Sequence, residues 1–156
     1  MTLSKYYFKM ADGFIEVSCS DIGVVTVKLG CQKIKNSIPQ IKWQKELVIL
    51  FKQYINGEKV CFKRIPLDLD KGTQFQKSVW DTARKIPFGK TLSYGEIAER
   101  IGRPKSARAV GNAMGKNPVP VIIPCHRVIA SNGSLGGFSS GLEWKKVLLE
   151  NEGINI

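Results

Sequence analysis

Apolar and polar positions follow two different rhythms along the chain. Phe14 to Cys19 and Val24 to Leu29 are short β-prone runs, and Asp21-Ile22-Gly23 between them reads as a hairpin. From Ile38 to Ile55 the spacing lengthens to a helical period, with Ile41, Val48, Phe51 and Ile55 on one face and Asn56-Gly57 as the stop. Val60 to Phe62 reads as a further strand, and Ile65 to Gly72, with Pro66, Asp68 and Asp70, as a linker. Beyond it the pattern is mostly helical. Thr73 with Gln76, and Ser93 with Glu96, have the form of capping boxes, in which the paired side chains satisfy free amides of the first turn. Phe75, Val79, Ala83 and Ile86 line one face of the first of these helices, which ends at Pro87-Phe88-Gly89. Ile97, Ala98 and Ile101 form the buried stripe of the second, and Gly102 takes the position just past its end.

Pro104 suits the first turn of a third helix, which runs to Met114 and stops at Gly115. Val110 and Met114 are spaced to face the core, while Ser106, Ala107, Ala109, Gly111 and Ala113 keep the outward face small. Two short helices joined by a tight glycine turn have the form of a helix-turn-helix, although a plain helical hairpin has the same pattern. Next, Val121 to Ala130 is apolar except for Cys125-His126-Arg127 and reads as a buried strand. Ser131 to Ser134 is a turn, Gly136 to Gly141 a Gly/Ser loop, and Leu142 to Asn151 a last helix carrying Trp144, Val147, Leu148 and Leu149. The reading is α+β, with a small domain over 1–64, a linker over 65–72 and a mostly helical domain over 73–156.

Length and composition narrow the class. At 156 residues, with 43% hydrophobic and 24% charged residues, the chain is long enough to bury a core without staples. No apolar run has membrane-spanning length and no signal-peptide core opens the chain, so a cytoplasmic protein with no membrane partner is expected. Cys19, Cys31, Cys61 and Cys125 show no C-x-x-C pairing, and with one His there is no zinc pattern. The net charge is +11, and between Arg100 and Leu142 there is no Asp or Glu at all. A basic, acid-free stretch favours a polyanion and turns the helical pair towards DNA contact.

Within that stretch the only His in the chain follows Cys125. Ionisable groups in an apolar run are costly unless satisfied. The pair therefore reads either as a structural Cys beside a hydrogen-bonded His or as a nucleophile beside its base.

Pro124-Cys125-His126-Arg127-Val128 resembles the active-site signature of the alkylguanine-DNA alkyltransferases, also called methylated-DNA–protein-cysteine methyltransferases. The similarity runs from Thr73 to Gly153 and includes Ile86 to Gly89, Ser93-Tyr94-Gly95, Ala107 to Gly111, Asn117-Pro118, Gly136 to Gly141 and Leu148 to Gly153. It implies a ribonuclease-H-like N-terminal α/β domain and a helix-turn-helix C-terminal domain. It also implies a monomer that repairs double-stranded DNA in a single turnover. An alkyl group on the 6-oxygen of guanine, or the 4-oxygen of thymine, moves from a flipped base to Cys125. By the family pattern His126 takes the thiol proton through a water and Glu152 orients His126. Tyr94 stabilises the leaving purine, and Arg108 fills the place of the extruded base. Asn117 ties the helical pair to the Cys125 segment. Val128, through its backbone, and Ser139 line the base pocket, and Arg103, Ser131 and Met114 join the DNA- and substrate-binding positions. Arg103 departs from the family in residue type, and Phe138 stands where some relatives carry Tyr. The zinc site of some members needs two N-terminal His and cannot form here. No cofactor is needed, because a thiolate attacks carbon directly and the thioether product has no good leaving group. The competing readings are a non-catalytic lesion sensor on the same scaffold, which lacks the Cys, and a Cys-His hydrolase.

Overall fold

A computed structural model describes residues 2–156. Its element order is β1 (Ser4–Met10), β2 (Gly13–Cys19), β3 (Val24–Cys31), α1 (Lys42–Ile55), α2 (Gln74–Arg84), β4 (Leu92–Ser93), α3 (Tyr94–Arg100), α4 (Ala107–Gly115), β5 (Val128–Ile129) and α5 (Leu142–Asn151). The architecture is α+β. The first three strands form an antiparallel sheet in the order β1-β2-β3, and β4 pairs with β5 in parallel.

β1 is an addition to the elements read from the sequence. Tyr6, Phe8 and Met10 alternate into the core, but Tyr7 between them hides the alternation. Tyr7 points to the other face, where its hydroxyl donates to Glu16 at 2.9 Å. Helix α1 starts four residues later than the spacing suggests, because the chain before it serves the sheet. Lys5 N–H donates to Ser37 Oγ at 2.9 Å, and Tyr7 N–H to Asn36 Oδ1 at 2.8 Å. Pro39 then biases Ile38 away from helical angles. The buried stripe is also rotated from the expected one. Gln44, Leu47, Phe51 and Tyr54 face inward, whereas Ile41 is exposed and Val48 and Ile55 are only partly buried. Phe51 stacks on Phe8 with centroids 4.9 Å apart and meets Phe62 at 4.8 Å. Val60 to Phe62 forms no strand; Val60 and Phe62 are buried as coil.

Residues 65–68 lie against β3. Val24 N–H donates to Pro66 O, and Asp68 N–H donates to Val24 O, both at 2.9 Å. A Cβ on Gly23 would sit 2.7 Å from this backbone, so only glycine lets the two segments approach so closely.

Both capping boxes form as the sequence indicates. Gly102 at φ +76° closes α3, with its N–H on Glu99 O and the Arg103 N–H on Ala98 O. Pro104, by contrast, lies in the turn before α4, and the helix begins at Ala107. Ala113 is not on the outward face but buried, where its carbonyl accepts the Trp80 indole N–H at 2.9 Å. One buried cluster runs from the sheet through α1 to α2, α3, α4 and α5.

Candidate active site

The Cys125 segment is not a strand. Cys125–Arg127 makes a single 3-10 turn that leads into the two-residue strand β5. Ahead of it Val121 holds φ +76°, a conformation that a β-branched residue adopts only under strain. Asn117 clamps both sides of that kink. Its amide nitrogen donates to Ile123 O at 2.8 Å, and its oxygen accepts Val119 N–H at 2.9 Å. The clamp joins the end of α4 to the cysteine loop.

Cys125 is 5% exposed and lies in the wall of a cavity of about 740 Å³. Tyr94, Met114 and Phe138 give this cavity an aromatic and apolar lining, and exposed Arg108, Ser131 and Ser139 also line it. The volume is in the range that holds a small flat ligand. Gly136, at φ +72°, passes so near Tyr94 that a Cβ there would fall 2.7 Å from the hydroxyl. The Gly/Ser loop therefore fixes the Tyr94 ring as well as connecting elements.

Behind the cysteine lies a buried charge network. His126 is fully buried, and its Nε2 bonds Glu152 Oε2. Glu152, the residue that ends α5, also accepts from Tyr54 Oη at 2.7 Å, Gly89 N at 3.0 Å and Arg127 Nε at 2.8 Å. Arg127 donates as well to Ile86 O at 2.6 Å. Burial alone would raise the Glu152 pKa, but the bonds from His126 and Arg127 outweigh it and hold the carboxyl at about 2. Glu152 is therefore the anion of the network, ion-paired with Arg127. Burial keeps His126 below its ordinary pKa, so the ring is neutral near pH 7. A carboxylate only accepts hydrogen bonds, so the proton sits on Nε2 and Nδ1 keeps its lone pair. Nδ1 has no partner among the described residues.

Lys145 was not singled out from the sequence. It is fully buried, and its ammonium donates to Val128 O at 2.7 Å and Gly137 O at 3.0 Å. It also reaches the Tyr94 hydroxyl at 3.4 Å. Desolvation drops its pKa from the usual lysine range to about 8, opposed by the nearby Cys125 sulfur. Burial pushes the Cys125 thiol up to about 11, and Asn117 and Lys145 pull it the other way. At rest the site holds a thiol, a neutral base and a cation in reserve.

The structure brings Cys125, Tyr94, Arg108, Met114, Ser131 and Ser139 to one cavity, with His126, Glu152 and Asn117 behind it. One position differs from the sequence reading: Val128 does not line the cavity, and its carbonyl is occupied by Lys145. Arg103, expected at the DNA, stands apart from the cavity with its guanidinium 5.9 Å over the Phe75 ring. Tyr54 and Arg127 join the network although no role was assigned to them. The spacing of Lys145 from Leu148 and Leu149, at i+3 and i+4, is the one sequence signal of its place on the buried face of α5.

An apolar cavity with a cysteine in its wall, and an imidazole held by a carboxylate behind it, defines a protein whose chemistry centres on a cysteine sulfur. The 6-O-methylguanine DNA methyltransferase DNA-binding domain matches residues 74–154. The methylated-DNA–protein-cysteine methyltransferase of Haemophilus influenzae is 44% identical over 124 residues, covering 74% of this chain and 69% of that protein. For the counterpart from Methanosarcina acetivorans the match is 57% identical but covers 53% of each chain. The Mycobacterium tuberculosis O6-methylguanine methyltransferase superposes with a TM-score of 0.80 at 34% identity, over 97% of this chain and 93% of that one. The Mycobacterium tuberculosis protein described as OGT in complex with DNA superposes at 0.78 and 36% identity, over 94% and 90%. The chain belongs to the methylated-DNA–protein-cysteine methyltransferase family, whose members repair DNA by alkyl transfer to a cysteine.

Proposed function

We propose that Cys125 accepts one alkyl group from the 6-oxygen of a guanine flipped out of duplex DNA, and that His126, Glu152, Tyr94 and Lys145 make this possible. The observation that carries the reading is the placement of Cys125 in the 740 Å³ cavity with the His126–Glu152 pair behind it. His126 Nδ1 takes the thiol proton through a water, and Glu152 stabilises the imidazolium that results. The sulfur attacks the alkyl carbon, the bond from that carbon to the purine oxygen breaks, and Tyr94 supplies a proton to the leaving base. The ammonium of Lys145 favours both the thiolate and the departing anion. No step returns the thiol, so each molecule acts once.

The DNA-facing part of the proposal is the α3–α4 pair, read as a helix-turn-helix. The target atom is out of reach in a stacked duplex, so the base leaves the helix, and Arg108 fills the gap. Its exposure beside the cavity supports that role. Ser131, Ser139 and Met114 contact the nucleotide, and Arg103 acts from outside the cavity. Lesion repair needs no fixed sequence, so phosphate and shape contacts dominate. The division into 1–64, 65–72 and 73–156, a ribonuclease-H-like N-terminal unit, a monomeric state and a cytoplasmic, DNA-associated location complete the reading. Among the described residues no helix is long and apolar enough to cross a membrane.

Incubation with labelled 6-O-methylguanine duplex tests it directly. At most one label per protein is expected; binding without transfer would mark a sensor, and repeated turnover a hydrolase.

Two further results are expected. Arg108→Ala should slow repair of duplex DNA about tenfold, an offset of about 1.4 kcal/mol in the flipping step. Transfer from free 6-O-methylguanine should keep its rate, and equal losses on both substrates would contradict the gap-filling role. Lys145→Met should slow transfer on the order of 10²-fold at pH 7. Because Lys145 loses its proton near pH 8, the advantage of the parent over the variant should shrink above that pH. A rate ratio that stays constant up to pH 9.5 would reduce Lys145 to a packing role.

A further inference from the structure

A second cavity, of about 420 Å³, shares no lining residue with the one at Cys125. Its walls come from Lys59 to Lys63 and from Arg84 to Phe88, with Ile122 and Arg127 behind them. Five of its side chains are cationic, Lys59, Lys63, Arg84, Lys85 and Arg127, and no carboxylate lines it. In a chain of net charge +11, an excess of one sign alone is an ordinary solvated face. The two arginines distinguish this one. Arg84 is pinned by donating to Phe62 O at 3.1 Å and Ile65 O at 2.5 Å, yet its buried Nε–H has no acceptor among the described residues. Arg127 commits three N–H groups to Glu152 and Ile86 O, which leaves two of a guanidinium's five free.

An arginine held in place with unclaimed donors is preorganised for an oxyanion. Arg127 is already balanced by Glu152, and Asp81 acts on Arg84, but Lys59, Lys63 and Lys85 add three further cations with no carboxylate in the lining. That excess favours a dianion over a monoanion, and a phosphate monoester approaches a charge of −2 at neutral pH. Beside the cations, Val60, Phe62, Ile86, Phe88 and Ile122 offer an apolar wall suited to a flat ring. We infer that this cavity is a binding site for a small aromatic phosphate monoester, separate from the alkyl-transfer site and from the α3–α4 face.

Cys61 gives the test. It lines this cavity and is exposed, whereas Cys19 and Cys125 are buried and Cys31 is partly buried. The full-length protein is labelled with iodoacetamide at constant ionic strength, with phenyl phosphate as the probe, and each cysteine is followed by peptide mass spectrometry. Phenyl phosphate is expected to slow Cys61 labelling severalfold and saturably, to leave Cys31 unaffected, and to act at lower concentration than inorganic phosphate. The exposed pair Lys63→Glu and Lys85→Glu should lose the protection while keeping the parent's circular dichroism and melting temperature. Four results would overturn the site: no protection of Cys61, equal protection by inorganic phosphate or by undamaged duplex at matched phosphate concentration, equal protection of Cys31, or protection undiminished in the double variant. The readout involves no alkyl transfer, so its failure would leave the repair chemistry untouched.

Discussion

Cys125→Ser is expected to leave no measurable alkyl transfer while DNA affinity stays within about threefold of the parent, a difference of about 0.7 kcal/mol. Displacement at an alkyl carbon needs a soft, ionisable nucleophile. A hydroxyl in the same place is harder and far less acidic, and His126 cannot ionise it to a useful extent. The exchange of sulfur for oxygen in a buried wall changes stability by about 1 kcal/mol. It leaves Arg108 and every other residue of α4 unchanged, so binding to duplex DNA survives. Gel-shift titration and a single-turnover assay on the same preparation separate the two quantities. Transfer at the parent rate would remove Cys125 from the reaction.

The second large effect is at Glu152. Glu152→Ala removes the acceptor shared by His126, Arg127, Tyr54 and Gly89, and leaves the Arg127 guanidinium buried without its counter-ion. Breaking such a pair costs about 3–5 kcal/mol. For a chain of this size that is a fall in Tm of roughly 6 to 20 °C. Transfer should fall as well, because nothing then fixes the proton on His126 Nε2 or stabilises the imidazolium. Glu152→Gln keeps the shape and isolates the charge. The folded Glu152 binds its proton near pH 2 and the unfolded one near its ordinary 4.5. Between those values the unfolded chain holds more protons, so stability drops as pH falls through that window. His126 acts in the same sense from about pH 6.5 downward, since burial keeps the folded ring neutral. The parent's melting temperature should therefore fall steeply from pH 6 to pH 3, and that of Glu152→Gln less steeply. Parallel curves would mean that the carboxylate does not anchor the network.

What the sequence disclosed follows from how local each cause is. The capping boxes at Thr73 and Ser93 and the glycine terminus at Gly102 depend on residues within one turn, and all three formed where the spacing put them. The cavity residues Cys125, Tyr94 and Arg108 were found through a motif. Composition and periodicity alone leave the Cys-His pair open between a structural and a reactive role. What stayed hidden was set by partners far along the chain. The start of α1 is fixed by β1, whose edge takes Asn36 and Ser37. The 3-10 turn at Cys125 exists because Asn117 bridges the Val121 kink, which no pattern in an apolar run announces. Tyr54 reaches Glu152 across 98 residues, and only the fold brings them together. Lys145 is the intermediate case: its spacing was visible, but the carbonyls that neutralise the cost of burying it were not.

The central claim is that the Cys125 sulfur is ionised in place and consumed by carbon from a DNA lesion. Intact-protein mass spectrometry after incubation with excess 6-O-methylguanine duplex tests this most directly. The account predicts a single methyl increment on every active molecule, mapped by peptide fragmentation to Cys125, with no second addition at long times. An unchanged mass, or the methyl group on another residue, would contradict it.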